Sequence, residues 1–275
     1  MESPRSILQR RGLRPKYSWG QNFLGDPEVL EQIVSALQLV PGEPVVELGP
    51  GLGHLTRVLL ATGARVTAVE RDRDMVDALS ELPADRLTVV AANAAQVDFA
   101  RLAGAEKVAV VGNLPYHLTS PILFNVLEQH DRVSRAVFTL QKEVAERLAA
   151  EPGSRTYGLL TVLLGLHFRA HLLMTLPARL FHPPPAVDSA VLRLSALLRP
   201  RAEVSDEAHF RRVVKAAFAH RRKTLFNSLR SDPQLGPAEV IRASLEAAGI
   251  EPTRRAETLS VEEFGAVERA LAGRR

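Results

Sequence analysis

The order of apolar patterns along the chain predicts a doubly wound α/β domain with a mostly parallel sheet, followed by a small all-helical domain. Two observations carry this expectation. Up to about residue 194, short apolar runs alternate with segments whose apolar side chains recur at helical spacing. Beyond Pro200 the strand-like runs stop and short amphipathic helical segments remain.

The first run, Pro44-Val45-Val46-Glu47-Leu48-Gly49, reads as a buried strand entering a glycine turn. Leu55, Val58 and Leu59 follow at helical spacing, Gly63 closes that helix, and Arg65 to Val69 forms a second strand. Strand, helix and strand together make a parallel βαβ unit. Further strands are expected at 87–91, 108–111 and 136–140, with helices at 73–81 and 121–129. In 142–150, Val144, Ala145 and Leu148 share one helical face. Pro177 and the run Pro183-Pro184-Pro185 demand a shaped loop, because proline fits neither a helix interior nor a central strand. Alternation over 187–194 marks the last strand, and helices are expected at 207–219, 223–229, 238–247 and 261–272. The boundary between the two domains is placed between 198 and 199.

Composition excludes several chemistries. The 275 residues include no cysteine, so thiolate catalysis, disulfides and cysteine-held metal sites are ruled out. The eight histidines show no metal-site spacing with a companion acid, and no metal is expected. The longest apolar-rich stretch, 158–166, is far below the ~20 residues a membrane span needs. The basic N-terminus precedes no apolar signal core. A cytoplasmic, soluble and monomeric protein is expected.

The net charge of +4 hides a distribution. Residues 1–25 hold Arg5, Arg10, Arg11, Arg14 and Lys16 against Glu2, and residues 209–231 hold seven bases and no acid. The rest of the chain is therefore acidic. Two basic segments on an acidic body suggest a localised polyanion contact.

The segment Gly49-Pro50-Gly51-Leu52-Gly53 lies between a strand and a helix start, where free N–H groups collect. Glu70 ends the second strand, the place where a carboxylate meets a ribose diol in nucleoside-binding α/β folds. His54 stands where the dinucleotide fingerprint requires its third glycine, which turns the reading from NAD to S-adenosylmethionine. A glycine turn that serves packing alone is the plain alternative.

Asn113-Leu114-Pro115-Tyr116 follows the strand at 108–111. Pro115 makes a rigid turn, so the Leu114 carbonyl can point outward beside the Asn113 amide. An exocyclic amine on a nucleobase is a poor nucleophile because its lone pair is delocalised into the ring. Two acceptors holding its two N–H bonds favour the pyramidal form, and the Tyr116 ring can fix the plane of a flipped base. An Asn-capped turn with a packed tyrosine is the alternative.

With these residues in place the chain resembles the ribosomal RNA adenine N6-dimethyltransferase family, and within it the branch acting on two adjacent adenines of 16S rRNA. The resemblance rests on Gly20-Gln21-Asn22-Phe23-Leu24, on Glu47 to Thr56, on Val69-Glu70-Arg71-Asp72 and on Asn113 to Tyr116. Gln141 to Arg147, Phe181 to Val191 and Arg221-Arg222-Lys223-Thr224-Leu225 extend it over nearly the whole chain. It implies a Rossmann-like class I methyltransferase domain with a helical C-terminal domain, and S-adenosylmethionine as cofactor. It implies cofactor contacts at Asn22, Leu24, Gly49, Glu70 and Asn113. Asn113 and the Leu114 carbonyl would hold the target N6, with Tyr116 and Phe181 on the two faces of the adenine. Unaided, the residues say of Phe181 only that it is an aromatic on a rigid loop, free to pack in the core instead. One departure stands out: Asn93 occupies the position where the family usually has an aspartate that binds the cofactor's adenine amine. The Asn oxygen can still accept that bond, without the charge-assisted part.

The implied partner is 16S rRNA within the small ribosomal subunit. Arg221, Arg222 and Lys223 are the candidate phosphate contacts, and the N-terminal bases a second grip. The competing readings are a 23S rRNA adenine methyltransferase of the resistance type, a DNA adenine methyltransferase, and a small-subunit assembly checkpoint with methylation secondary.

Overall fold

In the computed structural model, residues 1–83 and 85–274 are described. The chain folds into two units: residues 1–145 with 170–196, and residues 146–169 with 197 onward.

The first unit begins with α1 (Pro4–Arg10), started by Pro4 and capped by Ser3, whose hydroxyl accepts from the Ser6 amide. After β1 (Phe23–Leu24), α2 (Pro27–Leu37) starts at Asp26, whose carboxylate takes the Val29 amide at 3.1 Å. The alternating part follows: β2 (Pro44–Leu48), α3 (His54–Ala61), β3 (Arg65–Glu70), α4 (Arg73–Leu79), β4 (Leu87–Ala91), α5 (Phe99–Ala103), β5 (Val108–Asn113), α6 (Thr119–Glu128) and β6 (Val133–Gln141). Then come α7 (Lys142–Leu148), β7 (Phe168–Leu176), β8 (Phe181–His182) and β9 (Ser189–Ala196).

Seven strands form one sheet in the order β4-β3-β2-β5-β6-β9-β7. The pairs among β2 to β6 are parallel, and β9 runs antiparallel to β6. The order reverses at β2, so the crevice at the carboxyl ends of β2 and β5 is the expected ligand position in a doubly wound sheet. Parallel strands covered on both faces must be apolar almost throughout. Val45, Val46, Val110 and Val111 are accordingly buried, and Glu47 is the polar exception among them. One apolar cluster joins Leu30, Ile33 and Val34 of α2 with Val45, Leu59, Val66 and Val111. A second gathers Ile7 and Leu8 of α1 around Phe23, Leu52 and Met75, which fastens the N-terminal segment to this unit.

The second unit comprises α8 (Leu159–His167), α9 (Glu207–Phe218), α10 (Leu225–Leu229), α11 (Ala238–Ala247) and α12 (Val261–Ala272). Its core includes Phe210, Phe218 and Phe264, with the last two ring centroids 5.9 Å apart. Glu268 of α12 is wholly buried and accepts from the Ser205 hydroxyl and amide and the His209 ring, which ties α12 to the start of α9.

The expected boundary between 198 and 199 lies two residues from one of the three crossings between units, but segment 146–169 groups with the C-terminal helices. The reason is α8: its sequence LLTVLLGLH has few polar side chains, and it packs against α9 and α12. Chain order alone assigned it to the sheet.

Candidate active site

The turn from β2 into α3 is built by Gly49, Gly51 and Gly53, all at positive φ of 68°, 55° and 78°. A Cβ on Gly51 would lie 2.9 Å from the Phe23 ring, so only glycine lets that ring close on the loop. The loop is also tied from the side. Glu70, at the end of β3, accepts from the amides of Gly51 (3.2 Å), Arg71 (2.8 Å) and Asp72 (2.8 Å). Burial raises its pKa, and those three N–H groups pull the other way. A carboxylate offers about four lone-pair positions, so one remains for a further donor.

Across the crevice, Gly112 brings the end of β5 against β2: a Cβ there would stand 2.5 Å from the Leu48 carbonyl. The next residue, Asn113, donates its side-chain N–H to the Asn22 carbonyl at 2.8 Å. That bond fixes the sense of the amide, because a flipped amide would set oxygen against oxygen. The acceptor end of Asn113 is thereby left for a ligand. The Leu114 amide donates to the Thr139 carbonyl at 3.1 Å, while no described donor engages the Leu114 carbonyl. The Tyr116 hydroxyl pairs with the buried Ser189 Oγ at 2.8 Å, which pins the ring, and burial raises its pKa.

Asn22, Leu24, Gly49, Glu70, Asn113, Leu114 and Tyr116 all line one cleft that opens to solvent. Two expected residues do not. Phe181 is only 4% exposed and belongs to the apolar cluster of α2 and the sheet; β8 pairs it with Leu24. The gain from burying a whole aromatic ring, about 2–3 kcal/mol, explains its place. Of the two expected adenine faces, Tyr116 alone is on the cleft wall in this structure. Asn93 stands between the lining residues Ala92 and Ala94, but its own side chain closes a local turn. Its oxygen accepts from the Ala95 amide at 3.1 Å, and its amide donates to Gln96.

The charge reading needs a correction at the N-terminus. Lys16 binds Asp72 at 2.6 Å and Asp74 at 2.7 Å, and Arg11 and Arg10 both reach Glu81. Gln21 donates to the same buried Asp72 at 2.7 Å. Trp19 lines the cleft beside this cluster, with the Arg71 guanidinium 4.2 Å and the Lys16 ammonium 5.2 Å from its ring. These bases neutralise the acids of their own unit. In the second unit, Arg221, Arg222 and Lys223 are exposed, and Lys223 shares a shallow groove with Asn227, Arg230 and Ser231. Arg221 also donates to the Arg155 carbonyl.

Sequence reasoning passed over three features. Ser189 lay inside a quoted motif without a role. The Lys16–Asp72–Gln21 cluster joins residues 51 to 56 apart, which no local pattern displays. Glu47 was read as part of a strand and as the first residue of the family-like cofactor loop but given no role, yet it is 1% exposed, lines the cleft, and makes no hydrogen bond of good geometry on either carboxyl oxygen. Burial pushes its pKa up to about 8. A polar residue in the middle of an apolar strand was the available signal.

A nucleoside-type loop, a strand-end acid and an amide-and-aromatic turn on a doubly wound sheet define the class of S-adenosylmethionine-dependent methyltransferases. The comparisons narrow this class. The profile of the family described as ribosomal RNA adenine dimethylase matches residues 12–272. A protein of Myxococcus xanthus named ribosomal RNA small subunit methyltransferase A is 70% identical over 271 residues, covering 98% of this chain and 96% of that protein. Its namesake in Syntrophotalea carbinolica is 47% identical over 252 residues, covering 92% and 95%. Among solved structures, the 23S rRNA methyltransferase ErmE superposes with a TM-score of 0.68 at 29% identity, over 91% of this chain and all of that one. A dimethyladenosine transferase from Plasmodium falciparum gives a TM-score of 0.76 at 23% identity, over 89% and 95%, and supports the fold. The chain belongs to the ribosomal RNA adenine dimethylase family. It is a methyltransferase of small-subunit ribosomal RNA, and no observation favours the large-subunit alternative.

Proposed function

We propose that the cleft of the first unit holds S-adenosylmethionine beside a flipped adenine, and that Asn113 and Leu114 position the adenine N6. The cofactor supplies, when bound, a methyl group made electrophilic by a sulfonium. The residues present fit it: an unpartnered buried carboxyl at Glu47, a strand-end carboxylate with acceptor capacity left at Glu70, and a glycine loop that bares its backbone. Asn22, Leu24, Gly49, Glu70 and Asn113 line its place, and Asn93 is the candidate for the adenine amine of the cofactor if its local turn opens.

The Asn113 oxygen and the Leu114 carbonyl accept the two N–H bonds of the target amine, which turns its lone pair out of the ring plane. Tyr116, pinned by Ser189, stacks on the base. Phe181 can supply the second face only by leaving the apolar cluster that now holds it. No strong base is needed, because methylation makes the amine proton acidic enough for water to take. Arg221, Arg222 and Lys223 hold phosphates of the small subunit's 16S rRNA, and two adjacent adenines are dimethylated there. The enzyme works as a cytoplasmic monomer on small subunits. No described helix is long and apolar enough to cross a membrane.

The single observation carrying this reading is the Asn113 amide locked on the Asn22 carbonyl with its oxygen left to a ligand. Incubation with labelled cofactor and unmethylated small subunits, large subunits or DNA tests it. Label is expected on adenine N6 of the small subunit alone. Asn113→Ala is expected to lower turnover at least about a hundredfold, as lost positioning does, while subunit binding persists. Label confined to large subunits or DNA would overturn the substrate, and unchanged turnover in the variant would overturn the role of Asn113.

A further inference from the structure

We propose that Glu47 couples cofactor binding to proton release: it is a neutral carboxylic acid before the cofactor binds and becomes the counter-charge of the cationic cofactor on binding. The inference rests on the reading of the cleft as the S-adenosylmethionine site and goes beyond it by assigning a charge state to a residue outside the expected contacts.

Three observations carry it. Glu47 is on the cleft wall, on a central strand, with 1% of its surface exposed. Both carboxyl oxygens are buried and make no hydrogen bond of good geometry; the nearby Thr56 hydroxyl of α3 favours the ionised form, but burial outweighs it. A buried ionised carboxylate in that condition is costly, so the group keeps its proton. Its surroundings supply no compensating cation. From β3 it faces Glu70, whose negative charge further disfavours ionisation. Asp72 at the head of α4 is committed to Lys16. On α3, His54 is held toward its neutral form by burial and bonded to the Glu2 carbonyl, and Arg57 is half-buried one turn farther on. β5 offers the uncharged Asn113, and the charged residues of α2 and α5, namely Glu28, Glu31 and Arg101, are exposed.

The ligand brings an ammonium and a sulfonium, both positive, into this carboxyl-lined space. An opposite charge within a few ångströms favours the ionised carboxylate. The proton leaves Glu47 for solvent, no covalent bond to the ligand forms, and one buried charge pair is created. Burial pushes the pKa of Glu47 up to about 8, so before the cofactor binds the group carries this proton at neutral pH. The ratio of wild-type to variant affinity should therefore rise with pH by up to about tenfold per unit between pH 6 and 8, then level off.

The test is titration calorimetry of the full-length protein with S-adenosylmethionine in two buffers of different ionisation enthalpy, across pH 6 to 9, for wild type and Glu47→Gln. At pH 7 wild type is expected to release up to about one proton per ligand more than the variant. The ligand's own amine titrates equally with both proteins, so their difference isolates Glu47. The variant should melt at the wild-type temperature at pH 7, since it replaces one neutral group by another. If it does not fold, the wild-type proton count and pH profile decide alone. Equal net proton exchange by wild type and variant overturns the coupling while leaving the cofactor assignment intact. No binding of S-adenosylmethionine by wild type overturns both.

Discussion

Two segments of this chain are equally conspicuous for positive charge and differ in the partners the fold gives them. In residues 1–25, Arg10, Arg11 and Lys16 meet Glu81, Asp72 and Asp74 of the same unit. In residues 209–231, Arg221, Arg222 and Lys223 stay exposed beside a shallow groove. Charge density is similar; partner supply is not. In the first segment Arg10, Arg11 and Lys16 each meet a carboxylate of the same unit, while Arg5 and Arg14 stay exposed. The second has no acid of its own, and Arg221, Arg222 and Lys223 are exposed, as the proposed polyanion contact requires. A basic run thus predicts nucleic-acid contact only after intramolecular partners are excluded.

The largest effect expected from this contrast is on RNA binding. Converting Arg221, Arg222 and Lys223 together to Glu should weaken binding to small subunits by roughly a hundredfold or more near 0.15 M salt. The slope of log affinity against log salt should flatten by about two to three units, measured by filter binding over a salt series. The melting temperature should stay unchanged. Unaltered affinity would make the two segments alike and remove the RNA role of the second.

A middle-sized effect, on stability, is expected at the N-terminus. Asp72→Asn keeps the shape but removes the charge from a buried acceptor that serves Lys16 and Gln21. It should cost about 2 kcal/mol, since Lys16 is partly exposed and keeps Asp74, and should shift subunit affinity less than about twofold. Thermal melting and the same filter assay separate the two readouts. The smallest effect belongs to Arg10→Ala, which removes exposed ion pairs and should leave melting, affinity and turnover unresolved from wild type. A loss of RNA affinity at Arg10 as large as at Arg221 would break the comparison from the other side.

Much of the site was legible because its parts are local. The turn after β2 needs glycines at fixed offsets, the acid sits at the end of the next strand, and Asn113 to Tyr116 are contiguous. The strands at 87–91 and the helices at 238–247 and 261–272 fall where their periodicity places them. The short α1, β1 and α5 were not read, since elements of two to seven residues show hardly one period. The edge strand β7 also escaped, because exposed Leu172 and Leu173 break the alternation expected of a half-buried strand.

Sequence by itself determined the doubly wound sheet, the glycine loop, Glu70 and the turn from Asn113 to Tyr116, because each is specified by backbone rules acting over a few residues. Tertiary structure decided the rest. It put α8 with the C-terminal helices, buried Phe181, closed the Asn93 turn, paired the N-terminal bases and left Glu47 without a partner. Burial and charge pairing are set by whatever lies across the fold, tens of residues away, and a linear pattern does not contain that distance.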